Sequence, residues 1–245
     1  MTADDHSGFD PVTTFDQINA ATGHLLETAA RFTDADVRAP SLLPGWSRGH
    51  VLTHVARNAD GGRNLLIWAR TGRETPEYPS LAARDEQIEA GAGRSATELI
   101  ADLRSAAVRF AMEYRKMPPE AWNQTVRWTR GQERAAARAA DSRLCEVLIH
   151  HVDLNADYTP AQWPTGFVRD MLSRVVASFS ARDGAPAMRL HTTDTETGYD
   201  IGTARLAPII HGPQASLLAW LMGRAQGTDL VVDGASELPR PPFLY

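Results

Sequence analysis

The sequence predicts an α+β protein: a four-helix bundle over residues 1–163 followed by a smaller α/β domain over 164–245. Three observations carry that prediction. Four segments in the first two thirds repeat apolar residues at helical spacing, enough to build a bundle. A stretch with Pro160, Pro164 and Gly166 then reads as a linker. Beyond it, short β-type runs alternate with helical ones.

The first helix opens near Thr13 or Thr14, either of which can cap free N–H groups, and places Phe15, Ile18, Leu25 and Ala29 on one stripe. The second follows the turn Pro44-Gly45-Trp46-Ser47, with Ser47 as cap, and carries Val51, Leu52, Val55, Leu65 and Leu66 to about Arg70. A loop rich in Gly and Pro comes next. Ser95 caps the third, through Leu99, Leu103, Val108, Phe110 and Met112, and Pro118-Pro119 ends it. The fourth begins in the Ala-rich run near Ala135 and runs through Leu144, Val147, Leu148 and Leu154 toward Tyr158.

In the second domain a helix is expected from about Phe167 to Ala181, then strands at Met188 to Thr192 and Tyr199 to Thr203 joined by a polar turn. Pro213 suits a first helical turn, which needs no N–H there, and is followed by the apolar helix Ala215 to Arg224. A strand at Leu230 to Val232 completes the pattern.

With 245 residues, 43% of them hydrophobic, the chain can bury a substantial core, which argues against disorder. Thirty acidic residues against twenty-five basic ones give a formal charge of -5, without the basic block of a nucleic-acid binder. No run approaches the roughly 18 apolar residues of a membrane span, and the start, MTADDHSGFD, is acidic where a signal peptide carries positive charge. The expectation is a cytoplasmic protein acting on a small molecule. One cysteine, Cys145, excludes an internal disulfide and a multi-cysteine zinc site, so any metal must rely on His and carboxylate ligands.

Glu146 and His150 are four residues apart, hence on one face of a helix and one turn apart, as two ligands of one ion require. His50 and His54 repeat that spacing on the second helix, and either or both can complete the site from across the bundle. Three protein ligands leave a position open for catalysis. The same residues have ordinary uses. A helical histidine is often only a hydrogen-bonded residue, and a Glu/His pair at this spacing can be plain helix support. His151 lies about 100° around the helix from His150, so at most one of them faces the same ion. Asp153, three residues past His150, can orient its ring, or be a solvated charge. Cys145 falls on a neighbouring apolar line with no base assignable to it, which argues for a small buried hydrophobe rather than a nucleophile.

The segment PGWSRGHVLTHVARNADG, followed much later by CEVLIHHVDL, resembles the DinB-like metal-binding bundle family, and within it the mycothiol-dependent maleylpyruvate isomerases. A Trp-Ser turn opening the second helix, a His in the apolar run after it and a Glu-x-x-x-His-x-x-Asp pattern on the fourth fall on Trp46, Ser47, His54, Glu146, His150 and Asp153. HGPQASLLAWLMGRAQG resembles the small C-terminal domain of the same enzymes. The resemblance implies a divalent metal, zinc by expectation, on His54, Glu146 and His150, and ranks His50 below His54. It further implies cis-trans isomerisation of maleylpyruvate to fumarylpyruvate, a step of gentisate-type aromatic degradation, with mycothiol as thiol cofactor. It also points to Arg224, at the end of LLAWLMGR, as the cation that meets a substrate carboxylate. A cation near a helix C-terminus is favourable through the macrodipole alone, so Arg224 has a purely structural alternative. No spacing selects the residues that hold the sugar part of the thiol, for which Trp46, Asp60 and Arg84 are candidates. The same bundle would also serve a mycothiol-dependent S-transferase acting on electrophiles, a metal-dependent hydrolase with water at the open position, or a non-catalytic metal-binding module.

Overall fold

The computed structural model describes residues 9–204 and 206–241. The acidic start lies, at residues 1–8, outside them. The chain divides by packing into Met1–Asp157 and Tyr158–Tyr245. Residues 158–163, expected in the first domain, therefore belong to the second. There Thr159 caps a 3-10 turn, Pro160–Gln162, that packs on a helix of that unit.

In the first unit α1 spans Pro11–Ala29. Its cap is Asp10 rather than Thr13 or Thr14: the carboxylate accepts from the N–H groups of Val12 and Thr13. Pro11 takes the first helical position, where its missing N–H costs nothing, and so starts the helix earlier than the apolar stripe suggests. A short helix, α2 (Asp34–Arg38), opens on a Thr33/Asp36 capping box. The helix α3 (Arg48–Thr71) begins at Ser47 as expected and ends at Gly72, whose φ of 69° is the left-handed conformation that terminates helices. The next long helix, α5 (Ala96–Tyr114), starts at a Ser95/Glu98 capping box, and α6 covers Ala137–Asp153. Contacts run α1 to α5, α5 to α3, α3 to α6 and α6 back to α1, closing a four-helix ring around Ile18, Leu52, Leu65, Leu103, Phe110 and Val147.

Besides α2, two features of this unit were not expected. The helix α4 (Leu81–Ala92) occupies the presumed Gly- and Pro-rich loop. It buries only Ile88, Gly91 and Ala92, too few to leave a periodic signature. Its approach to α3 depends on two glycines: a Cβ on Gly49 would collide with the Ala92 carbonyl, and one on Gly91 with the Thr53 side chain. A hairpin of β1 (Thr125–Arg127) and β2 (Glu133–Ala135) precedes α6, each strand being too short to show alternation. The fourth bundle helix accordingly begins after the hairpin and stops at Asp153, short of Tyr158.

In the second unit α7 (Thr165–Ser180) precedes a four-stranded sheet of β3 (Met188–Thr192), β4 (Gly198–Ile201), β5 (Ile209–Gly212) and β6 (Val231–Asp233), in the order β4-β3-β5-β6. β3 and β5 are parallel and the other pairs antiparallel. β5 was missed because its four residues run directly into Pro213 and α8 (Gln214–Leu221). Pro213 is the cap of α8 rather than part of its first turn, and the helix stops before Arg224 because Gly223 turns left-handed, at φ 72°. Among the described residues no helix is long and apolar enough to cross a membrane.

Candidate metal centre

Two helix faces build the site. On α3, His54 and Asn58 are four residues apart; on α6, Arg143, Glu146 and His150 follow at three and four. Each set lies along one face, and the two faces meet where α3 packs on α6. His54 is 5% exposed, so its imidazole is committed to this interior.

His54 Nε2 lies 2.8 Å from Glu146 Oε2 and 3.0 Å from His150 Nε2, and His150 Nε2 is 3.2 Å from the same carboxylate oxygen. Among the described residues this is the one group of three or more such side chains whose donor atoms all lie within 4.8 Å of one another. Zinc bonds of about 2.0–2.1 Å in a tetrahedron put ligand atoms roughly 3.3 Å apart. The three spacings fall just under that edge, so a small outward shift of each side chain accommodates an ion. His150 is already oriented for it. Its Nδ1 is 2.8 Å from Asp153 Oδ2, and Asp153 is fully buried, so Nδ1–H donates to the carboxylate and Nε2 is the ring nitrogen that faces the centre. His54 differs, because its Nδ1 faces Arg84 Nη2 at 3.2 Å. Coordination through Nε2 places a proton on Nδ1, donor against donor, so the guanidinium has to turn aside when an ion binds.

The electrostatics divide the histidines. Burial, aided by the charges of His150 and Arg84, lowers His54 to about 4 against the pull of Glu146, so it is neutral at pH 7. Burial also disfavours a charged His150, but its hydrogen bonds to Asp153 and Glu146 outweigh that and raise it to about 9. Burial works against the Glu146 carboxylate too; the two histidines overcome it and hold its pKa well below the usual range.

The other sequence candidates lie outside the triad. His50 Nδ1 accepts the Ser47 N–H at 3.1 Å as the reciprocal half of a capping box, and its Nε2 lies 3.4 Å from Glu89, so it serves the start of α3. His151, buried against α1, reaches Thr28 Oγ1 at 2.8 Å, and burial lowers it to about 4. Cys145 is half-buried and in no disulfide. Trp46 sits edge-on to the His54 ring with centroids 5.6 Å apart. Asp60 is engaged by Arg109 at 2.7 Å and Arg57 at 3.3 Å. Arg224, in the second unit just past α8, donates from Nη1 to the Met222 carbonyl at 2.9 Å.

Of two arginines near the triad, Arg143 escaped the sequence reading and Arg84 was named there only as a candidate for the sugar part of the thiol. Arg84 sits on the unforeseen α4, so no spacing tied it to His54. Arg143 could have been found, since it precedes Glu146 by three residues and His150 by seven, one helical face of three polar groups.

A helical bundle with two histidines and a carboxylate converging in its interior, alongside a small α/β unit, is a protein of a class that could hold a metal ion in its bundle. The chain belongs to the mycothiol maleylpyruvate isomerase N-terminal domain family, whose model matches residues 18–155. Over the whole chain it resembles a crystal structure of the mycothiol-dependent maleylpyruvate isomerase, with TM-score 0.91 and 26% identity, covering 99% of this chain and 100% of that one. A histidine-to-alanine mutant of that isomerase matches equally well, with TM-score 0.91 and 26% identity over the same shares. Curated protein sequences yielded no match.

Proposed function

We propose that this protein isomerises maleylpyruvate to fumarylpyruvate with mycothiol as thiol cofactor, around a divalent metal held by His54, Glu146 and His150. The observation that carries the reading is the convergence of those three donor atoms from two helices. Family membership and the match to the isomerase structures support the choice of reaction. Zinc is the metal we assign, since two imidazoles and a carboxylate with an open position suit it.

Rotation about a carbon–carbon double bond is slow until a nucleophile adds and makes it temporarily single. An ion and a thiol bound together supply that nucleophile as a thiolate at neutral pH. The chain's own residues do the rest. Asp153 keeps the Nδ1 proton of His150, leaving Nε2 free to donate its lone pair. Glu146 contributes a carboxylate that its histidine neighbours keep ionised. Arg224 is the residue we assign to a substrate carboxylate and to the enolate charge that develops there. Cys145 has no part in the chemistry, because the attacking sulfur is the cofactor's. The reading carries with it a cytoplasmic location, where thiols stay reduced.

The test is to assay maleylpyruvate conversion by protein purified without chelator, with and without mycothiol, alongside elemental analysis. One equivalent of metal per chain and thiol-dependent formation of fumarylpyruvate are expected. A metal-free protein with full activity ends the metal reading; turnover without any thiol ends the cofactor reading.

A further inference from the structure

The side chain with the least obvious reason to be where it is belongs to Arg143. It is 2% exposed, yet no carboxylate among the described residues lies within ion-pair distance of it. Its Nη1 donates to the Val55 carbonyl at 2.8 Å and to Asn58 Oδ1 at 2.9 Å, both on α3. The guanidinium carbon lies 6.0 Å from the centre of the Phe110 ring on α5, while the buried Nη2 finds no acceptor. Burial lowers the group to about 10 against the attraction of Glu146, Tyr78 and Asp60, so it remains a cation at neutral pH.

A buried charge with no carboxylate in direct contact is a poor source of stability, and an apolar side chain of similar volume is often neutral or better in its place. Directional hydrogen bonds do what apolar packing does less well, which is to select one register between two helices. The bonds of Arg143 fall where register matters. Val55 adjoins His54, Asn58 is one turn beyond it, and Arg143 is one turn before Glu146 and two before His150. A slide or roll of α6 against α3 that pulls Glu146 and His150 away from His54 breaks both bonds.

We propose that Arg143 is a positioning residue for the metal centre: its bonds to Val55 and Asn58 set the register of α3 and α6 that brings His54 opposite Glu146 and His150. The inference rests on those three residues holding an ion. Charge and position act in opposite directions here. Removing a cation close to a dication tightens metal binding by electrostatics alone, so a loss of affinity reports geometry.

The experiment compares wild type, Arg143→Met and Arg143→Lys by chelator competition for zinc, by the absorption spectrum of the cobalt-loaded protein, and by metal-free melting temperature. Arg143→Met is expected to bind zinc about tenfold more weakly, the low end for removing support behind metal ligands, with an altered cobalt spectrum and a metal-free melting temperature equal to wild type or higher. Arg143→Lys, which keeps the charge but not the fork, is expected to fall between. Wild-type affinity and spectrum in Arg143→Met overturn the proposal, as does tighter binding. Should Arg143→Met not fold, Asn58→Ala, which removes one acceptor and keeps the arginine, is held to the same two readouts. A wild type that binds no zinc brings down the metal reading itself, an outcome distinct from a wild type and variants that bind alike.

Discussion

Both units carry a pair of neighbouring histidines with acidic company, and only one pair makes a centre. In the bundle, His54 and His150 bring their Nε2 atoms to 3.0 Å and share the single carboxylate oxygen of Glu146. In the sheet, His191 and His211 are direct cross-strand partners on β3 and β5, with ring centroids 5.3 Å apart. There each faces an acid of its own: His191 lies 3.6 Å from Glu196 and His211 3.1 Å from Asp233, both carboxylates largely exposed. The residue types are the same. Helices let side chains from two backbones point into one enclosed space, whereas neighbouring strands set side chains in parallel rows perpendicular to the sheet. Convergence makes a group that could hold an ion; mere proximity makes two separate pairs.

The largest effect that can break this contrast is loss of the ion. His54→Ala and Glu146→Gln are each expected to abolish metal binding and turnover, while His191→Ala keeps both; elemental analysis and the isomerase assay decide. If His50→Ala, rather than His54→Ala, empties the protein of metal, the wrong turn of α3 has been assigned.

Next in size is Arg224→Ala. As a carboxylate-binding cation, its loss lowers kcat by about 10²–10³ with metal content near normal, and Lys restores activity only in part because it lacks the planar fork. As a residue that merely complements a helix end, its loss costs about 0.3–1 kcal/mol of stability and leaves turnover near normal. Rate, metal content and melting temperature on that variant separate the two.

Acidity sharpens the contrast in a third way. Because His150 is raised to about 9 and His54 lowered to about 4, the metal-free centre holds one displaceable proton at pH 7. Zinc affinity is therefore expected to rise by about tenfold per pH unit from 7 toward 9, since the ion competes with that proton. Stability of the metal-free protein runs the other way. A folded pKa above the ordinary 6.5 gives stabilisation that is complete below pH 6.5 and disappears as pH climbs through about 9. Calorimetric titration with zinc, and metal-free unfolding across pH 6–10, measure the two slopes; equal signs contradict the assignment.

The smallest effects concern residues beside the centre. Arg84→Met is expected to bind zinc at least as tightly as wild type, because the donor facing His54 Nδ1 is gone; weaker binding by chelator competition refutes that conflict. Cys145→Ser is expected to keep its turnover, and a large loss of rate without unfolding makes the cysteine the nucleophile.

Much of this protein was written in local pattern. The caps at Ser47 and Ser95, the helical end before Pro118 and the strand Met188–Thr192 lie where residue spacing puts them, since each depends on neighbours a few positions away. The four-residue spacing of Glu146 and His150 likewise states that they share a helix face. Spacing could not choose between His50 and His54, because both satisfy it. The tertiary structure separates them: His50 closes the capping box at the start of α3, and His54 turns inward toward α6. The helix α4, the hairpin before α6 and β5 have too few buried residues or too little length to announce themselves. Arg84 reaches His54 only because Gly49 and Gly91 let α4 lie close on α3, and Arg143 meets Val55 and Asn58 across nearly ninety residues of chain. Periodicity reports which way a side chain faces on its own element. What it faces is decided by packing between elements distant in sequence, and that is where the candidate site and the arginine contacts beside it are made.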